Sequence, residues 1–316
     1  MTRYIARRLL GMIPTFLVLL FLAVAMLRFI PGDIVDLMLE GQSGAHNVNR
    51  TLLEHRLGLD QSLPGQYVHY TAGVLHGDLG RSLWNQQDVA GLIAQRLPPT
   101  LEMVGLAVLI SLILAVPIGT ISAVRQDSVL DYALRSAAIL GLSVPNFALA
   151  TMVLIFPALW FHWTPPLNYK SLTADPLANL GQLIIPALIL GVGLSASIVR
   201  LLRATMLEVL REDFIRTAWS KGLRERTIVL RHCARNALIP VVTLFGIQLA
   251  FLISGSVIME QIFAVPGVGR LLLDAISQRD YPVVQGVTVI VALWVLVINL
   301  VVDVSYVYLD PRLRLA

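Results

Sequence analysis

One cysteine, Cys233, is all that the 316 residues contain, so no disulfide can form within the chain and no CxxC or Cys/His zinc pattern exists. Charged residues are scarce too, at 14% where a soluble domain carries about 25%. Hydrophobic residues make up 56% and the mean hydropathy is +0.75. Together these exclude a water-soluble globule and a disordered chain; the apolar surplus needs lipid as its solvent. The net charge of +4 is too small to argue for nucleic acid. The six histidines (His46, His55, His69, His76, His162, His232) form no HxxxH or HExxH pair, so nothing in their spacing suggests a metal site. GxxxxGK(S/T), GxSxG and the dinucleotide glycine fingerprint are all missing, which removes a P-loop ATP site from this chain. Arg28, Glu102, Glu260 and Asp303 fall only at the ends of apolar runs and read as interfacial anchors. A proton-coupled carrier would bury acids or histidines near the midplane. The chain therefore needs an external engine or a downhill gradient.

What is abundant is long apolar sequence. Six stretches lack Asp, Glu, Lys and Arg: Leu9–Leu27, Met103–Val124, Ser136–Phe161, Pro176–Val199, Asn236–Met259 and Val283–Val302, of 19, 22, 26, 24, 24 and 20 residues. About 20 apolar residues cross a hydrocarbon core as a helix, and transmembrane strands would alternate over about 10. The expectation is an all-α polytopic membrane protein with spans near 9–30, 101–124, 136–161, 178–199, 236–259 and 282–303. Arg3, Arg7 and Arg8 before the first run resemble a secretory signal, but the run exceeds the usual 7–15 residues, so a retained helix is expected. With a cytoplasmic N-terminus, the inner segments hold 16 Lys and Arg and the outer ones 8; the positive-inside rule then puts both termini in the cytoplasm. Pro14, Pro117, Pro145, Pro157 and Pro186 lie inside these runs and predict kinks. Ala187, Gly191 and Ser195 form one stripe of small residues, and Gly246, Ala250 and Ser254 another. Such stripes let helix backbones approach, within the chain or against a partner or substrate path.

The outer segment 31–99 is too long for a passive connection and reads as a small folded cap. Asn47–Leu57 and Gly65–Leu75 are its expected helices, and Gly77-Asp78-Leu79-Gly80 its turn. The inner segment 200–235 carries nine basic against four acidic residues. Asp213–Lys221 reads as a short helix stopped by Gly222, with a second basic helix from about Arg224 to Asn236. A projecting pair of this kind suits docking into a groove of a cytoplasmic partner, or adhesion to anionic lipid. Within the spans Ser143, Asn146, Gln248, Ser254, Ser256 and Asn299 are the candidate pathway residues, each with packing or an interhelical hydrogen bond as its plainer role.

The run Asp213-Phe214-Ile215-Arg216-Thr217-Ala218-Trp219-Ser220-Lys221-Gly222-Leu223, followed by Leu230-Arg231-His232-Cys233-Ala234-Arg235-Asn236-Ala237-Leu238-Ile239-Pro240, resembles the EAA loop of ATP-binding-cassette importer permeases. More narrowly it is similar to the dipeptide/oligopeptide/nickel permease family, first-permease type. Arg3–Leu10, Leu57–Gln61, Gly77–Gly80, Phe263–Arg270, Arg279–Gln285 and Asp310-Pro311-Arg312 agree in order along the chain. The general motif's glutamate is Arg216 here and its first alanine Thr217; only Ala218 and Gly222 match, as in the peptide/nickel subfamily.

The resemblance implies a non-enzymatic subunit of the bacterial inner membrane that binds no cofactor itself. A second permease would complete the path, two cytoplasmic ATPases would bind ATP and Mg, and an extracytoplasmic solute-binding protein would deliver cargo. It further implies that Asp213, Arg216, Thr217, Ala218, Lys221, Gly222, Arg224 and Arg226 belong to an ATPase-coupling loop. Ala218 would permit close approach, Gly222 a sharp turn, and the cations contact with acids or helix C-termini on the ATPase. Short peptides are the expected cargo, then glutathione-like peptides, then nickel or a chelated metal. An intramembrane enzyme and a gradient-driven carrier or channel are the distant alternatives.

Overall fold

The computed structural model describes residues 2–29, 60–166 and 168–309. Among them the regular elements are helices, with one isolated antiparallel bridge between Arg81 and Asp88. The expected helix Asn47–Leu57 and the motif Asp310-Pro311-Arg312 lie outside the described residues. In chain order the helices are α1 (Thr2–Phe29), α2 (Leu63–Leu75), α3 (Val89–Val124), α4 (Val129–Ser143), α5 (Asn146–Phe161), α6 (Pro176–Leu210), α7 (Asp213–Ser220), α8 (Glu225–Thr227), a π-helical turn (Ile228–Cys233), α9 (Ala234–Ile262), α10 (Val268–Ser277) and α11 (Tyr281–Leu309). Five helical stretches are long and apolar enough to cross a membrane, or six if the bent pair α4 and α5 is one span.

That pair departs from the simple expectation of a single kinked span over 136–161. Its two halves turn by 89°. The cause is local. Pro145 drives the residue before it out of the helical region, and Val144 sits at φ −97°, ψ 121°. The Ser143 hydroxyl donates back to the Ile139 carbonyl at 2.8 Å. The amides of Ala148 and Leu149 then start a new helix on the Pro145 carbonyl.

The described chain divides into two compact units. One holds residues 98–269 and the chain from Ile298; the other holds residues up to Leu97 and 270–297. In the first, α6 is the central helix: 67% of its apolar window is buried, against 28% for the windows of α3 and of the α8–α9 rod. It extends eleven residues past Val199, so the start of the basic segment 200–235 is helix rather than loop. Ile198, Leu202 and Met206 continue the buried helical stripe and explain the extension. The stripe Ala187, Gly191, Ser195 is used inside the chain. A Cβ on Gly191 would lie 2.8 Å from the Ala107 carbonyl, so glycine lets α6 and α3 meet at backbone distance. On α9, Gly246 makes room for the Val302 side chain, while Ser254 stays exposed.

Two carboxylates tie this unit together. Asp131, wholly buried, receives Arg203 through two hydrogen bonds of 2.9 and 2.7 Å, and also Ser122 and the Asp127 amide. Glu260, also wholly buried, accepts from Thr100 at 2.7 Å and from Ser256 at 3.4 Å. Thr100 in turn accepts from the Val268 amide at 2.9 Å. Any Cβ on Gly267 would come within 2.2 Å of the Glu260 carboxyl carbon, so that glycine makes room for the carboxylate. Two residues on from Thr100 in α3, Glu102 accepts from Tyr169 and Asn179, both at 2.7 Å. Burial, then the Glu102 carboxylate, pushes the Tyr169 phenol above its usual range.

In the second unit Leu20 and Ala23 of α1 pack with Val289 of α11, joined by Phe16, Tyr67, Tyr70 and Val74. Helix α2 starts two residues before the expected Gly65, because Ser62 caps it and Pro64 suits its first turn. The Gly77–Gly80 turn forms as expected, with φ +81° and +84° at its glycines. It feeds Ser82, Leu83 and Trp84 onto the chain around Asp280: Ser82 Oγ and the Leu83 amide donate to the buried carboxylate, and the Trp84 indole donates to the Gln278 carbonyl. Two motifs nearly two hundred residues apart thus form one clamp.

Candidate functional site

The basic turn between α6 and α9 is built from the residues that the sequence singles out. Glu212, extended at φ −69° and ψ 147°, opens α7. Ile215 and Ala218 form its inward stripe at 0% and 7% exposure. At helical spacing Phe214 and Trp219 flank that stripe, and both are about half exposed. Arg216, Thr217 and Ser220 cover the opposite face and are exposed.

The helix ends in a Schellman motif. Lys221 is the C-cap, Gly222 takes φ +72°, its amide donates to the Trp219 carbonyl at 2.9 Å, and the Leu223 amide donates to the Ala218 carbonyl at 3.3 Å. Nothing lies within 4 Å of the position a Gly222 Cβ would take. Glycine is needed here for the left-handed backbone, not for space.

Two details differ from expectation. Ala218 does not present its side chain outward; it is packed within the chain, where its small size lets α7 lie close to the π-helical turn. The exposed surface consists instead of Phe214, Trp219 and Leu223 with the exposed cations Arg216, Lys221, Arg224 and Arg226. Sequence reading passed over the three apolar groups; their signal was two bulky residues on either side of a narrow inward stripe. The second difference concerns the helix expected over Arg224–Asn236. It does not end before the fifth span: α8, the π-helical turn and α9 continue as one rod, with Ile228, Val229 and Cys233 buried in the turn. Asp213 lies at the start of α7 where a negative charge suits the helix dipole, and its contact with Arg216 is a long, exposed 3.4 Å pair.

Within the spans, the break at Pro145 borders a cavity of about 420 Å³. Asn146, Gln248 and Ser197 supply its polar lining; Gly193, Leu194 and Phe251 are among the rest. Gln248 Nε2 donates to Ser197 Oγ at 3.0 Å. The Asn146 amide lies against Gly193, where a Cβ would come within 2.9 Å of it. Among the described residues no ionised group lines this cavity. Of the six candidate pathway residues, the structure brings together Asn146 and Gln248. Ser256 belongs to the Glu260 network, Ser143 is bonded to its own helix, and Ser254 and Asn299 are exposed away from the cavity. Among the described residues no three His, Cys, Asp or Glu side chains converge as a metal site would require.

Comparison with known proteins places these features in context. The family described as the binding-protein-dependent transport system inner membrane component matches residues 115–315, and its N-terminal counterpart matches residues 1–104. A putative peptide permease protein of Brucella suis is 37% identical over 317 residues, covering 99% of each chain. The dipeptide transport system permease protein DppB of Escherichia coli K12 is 37% identical over 337 residues, again covering 99% of each. The glutathione transport system permease protein GsiC of Pectobacterium atrosepticum is 37% identical over 314 residues with the same coverage. Among solved structures, an inward-facing form of the MetNI methionine ABC transporter aligns with a TM-score of 0.56 at 17% identity, over 70% of this chain and 97% of that one. The last likeness concerns the fold alone.

Proposed function

The chain belongs to the binding-protein-dependent transport system inner membrane components, the permease subunits of ATP-binding-cassette importers, and from that premise we propose that it conducts short peptides across the cytoplasmic membrane, driven through the turn at 211–224. The observation that carries this reading is the Gly222 turn, a rigidly capped short helix that offers apolar and cationic groups at the end of a continuous rod. Force applied to α7 would pass by packing to the π-helical turn, which continues into α9 with no intervening loop. Phe214, Trp219 and Leu223 would fill a groove on a separate ATPase subunit, and Arg216, Lys221, Arg224 and Arg226 would meet its acids or helix C-termini. Asp213 and Thr217 would lie on the exposed face with Arg216, and Ala218 would act behind it, setting how closely α7 packs.

The cycle is alternating access. ATP-driven closure of two ATPase subunits, which hold the ATP and Mg, would draw this turn toward its counterpart on a second permease. The spans would tilt, cargo would enter from an extracytoplasmic binding protein, and hydrolysis would reset the inward-open state. Asn146 and Gln248 would face the path; their neutral amides can exchange hydrogen bonds with a peptide main chain. Both termini and the 211–224 turn would lie in the cytoplasm, with the segment around α2 outside. A glutathione-like peptide is the second reading, since the dipeptide and glutathione permeases share the same 37% identity with this chain.

The test is reconstitution of the complete importer in liposomes with labelled di- and tripeptides. Uptake should require the binding protein, ATP and both ATPase subunits. Peptide flux through this chain without the ATPases would overturn the reading. Orientation is checked separately: with Cys233→Ser as background, a cysteine at Gln86 should react with an impermeant thiol reagent added to whole cells, and one at Arg226 only after the inner face is exposed.

A further inference from the structure

We propose that the arginine pocket between α4 and α6 is a binding site for one anionic phospholipid of the inner leaflet. The pocket, of about 310 Å³, is lined by Arg135, Arg200 and Arg203 above a floor of Ala138, Ile139 and Val199.

The three cations are not equivalent. Arg203 is neutralised by the fork it makes with the buried Asp131, and the Asp127 carboxylate also acts on it. Arg135 and Arg200 are exposed, and neither meets a carboxylate among the described residues. Arg135 is held over the Tyr132 ring, 5.7 Å from its centre, so its guanidinium is positioned rather than free to sweep the solvent. The pocket therefore carries two uncompensated guanidinium groups on facing helices, that of Arg135 positioned over the Tyr132 ring. A guanidinium presents a planar fork of donors that matches phosphate oxygens.

The surroundings select a lipid over a soluble phosphate. The pocket floor is apolar, and α4 beside it exposes Val129, Leu130, Tyr132, Ile139 and Leu140. A ligand with a phosphodiester at one end and acyl chains at the other satisfies both parts. Free phosphate would leave the apolar rim wet. The two arginines also sit where the span meets the cytoplasm in the proposed orientation, the leaflet depth at which basic pockets between spans meet lipid headgroups. The inference rests on that orientation and on nothing about the cargo.

The experiment is native mass spectrometry of the complete importer released from nanodiscs of phosphatidylglycerol and phosphatidylcholine. The unmodified complex should retain one phosphatidylglycerol per copy of this chain in preference to phosphatidylcholine. Arg135→Gln with Arg200→Gln should weaken that retention roughly thirtyfold, on the scale of two basic residues at a membrane surface. Arg135→Lys with Arg200→Lys should keep most of it, and Arg231→Gln, elsewhere on the cytoplasmic side, should change nothing. Equal retention in the double Gln variant, with the complex assembled as judged by co-purification, overturns the proposal. So does displacement of the lipid by excess inorganic phosphate, which would make the pocket a soluble-anion site. A photo-crosslinker at position 135 that captures the second permease instead of lipid would assign the pocket to a subunit contact and overturn it as well.

Discussion

Gly222 offers the sharpest test of the proposed coupling role of its turn, because its neighbourhood is empty and only its backbone is at issue. At φ +72° an L-residue with a Cβ is disfavoured by roughly 1–2 kcal/mol, less for asparagine, whose side chain tolerates this region. No clash adds to that figure, since nothing lies within 4 Å of the added atom. Gly222→Ala should therefore shift the turn away from its capped form by about five- to thirtyfold, at 1.4 kcal/mol per factor of ten. Two hydrogen bonds hold the turn, from the Gly222 and Leu223 amides. Gly222→Pro removes the first and fixes φ near −65°, on the wrong side of zero. The expected order of peptide uptake in the reconstituted importer is Gly, then Asn, then Ala, with Pro inactive. ATP hydrolysis should persist while losing its stimulation by the loaded binding protein, which separates uncoupling from misassembly. If Asn behaved no better than Ala, or Pro transported normally, the left-handed backbone would not be what the turn requires.

Three other perturbations probe the rest of the molecule. Arg203→Ala leaves Asp131 buried without its cation and should cost about 3–5 kcal/mol, read as a lowered melting temperature in detergent; Asp131→Asn should cost less, because the charge then left without its partner is Arg203, which keeps 16% of its side chain exposed while Asp131 is wholly enclosed. Gly191→Ala should destabilise by about 1–3 kcal/mol through collision with the Ala107 backbone, whereas Gly105→Ala, with open space around it, should be neutral or stabilising by up to about 1 kcal/mol; the same thermal measurement compares them. Asn146→Leu and Gln248→Leu should each slow uptake of trialanine several-fold without reducing ATPase stimulation, and N-methylation of the peptide backbone should produce little further loss in these variants; wild-type rates in both would remove the cavity from the path.

The presence of apolar helices was legible because its cause is local: twenty apolar residues flanked by charge can do little else in lipid, whereas their ends, such as the eleven residues that α6 adds past Val199, depend on packing. The Gly222 turn was legible for the same reason, since a glycine after a basic last turn is itself the C-terminal signal. The 89° break at Pro145 was half legible. Proline announces an interruption, but Pro117 and Pro186 stay within continuous helices while Pro145 does not, and that outcome depends on what packs around each. Least legible were the polar links between distant segments. Glu260 reads as an interfacial anchor and Asp131 draws no notice until Thr100 with the glycines at 267 and 269, and Arg203, are seen to enclose them. One clue was present for Asp131: Ser128 three residues earlier spells a capping pair, which brings the carboxylate back toward the helix start.

The contrast between those enclosed carboxylates and the neutral cavity bears on how selectivity is divided. The buried carboxylates Asp131 and Glu260 of the first unit are spent on fastening helices to one another, each with hydrogen bonds supplied from within the chain. Among the described residues the cavity at the Pro145 break has amides and a hydroxyl but no charge. A charged cavity would hold peptides of one sign strongly, and a site that binds tightly in both orientations of an alternating-access cycle slows release without raising throughput. Neutral amides match the repeating donor and acceptor pattern of any peptide backbone while giving little preference among side chains. Discrimination among cargoes would then fall to the binding protein. Gln248→Glu tests this division: it should slow a triglutamate relative to trialanine, creating at the cavity a charge preference that the unmodified chain lacks, and equal slowing of both peptides would show that the cavity does not meet the cargo.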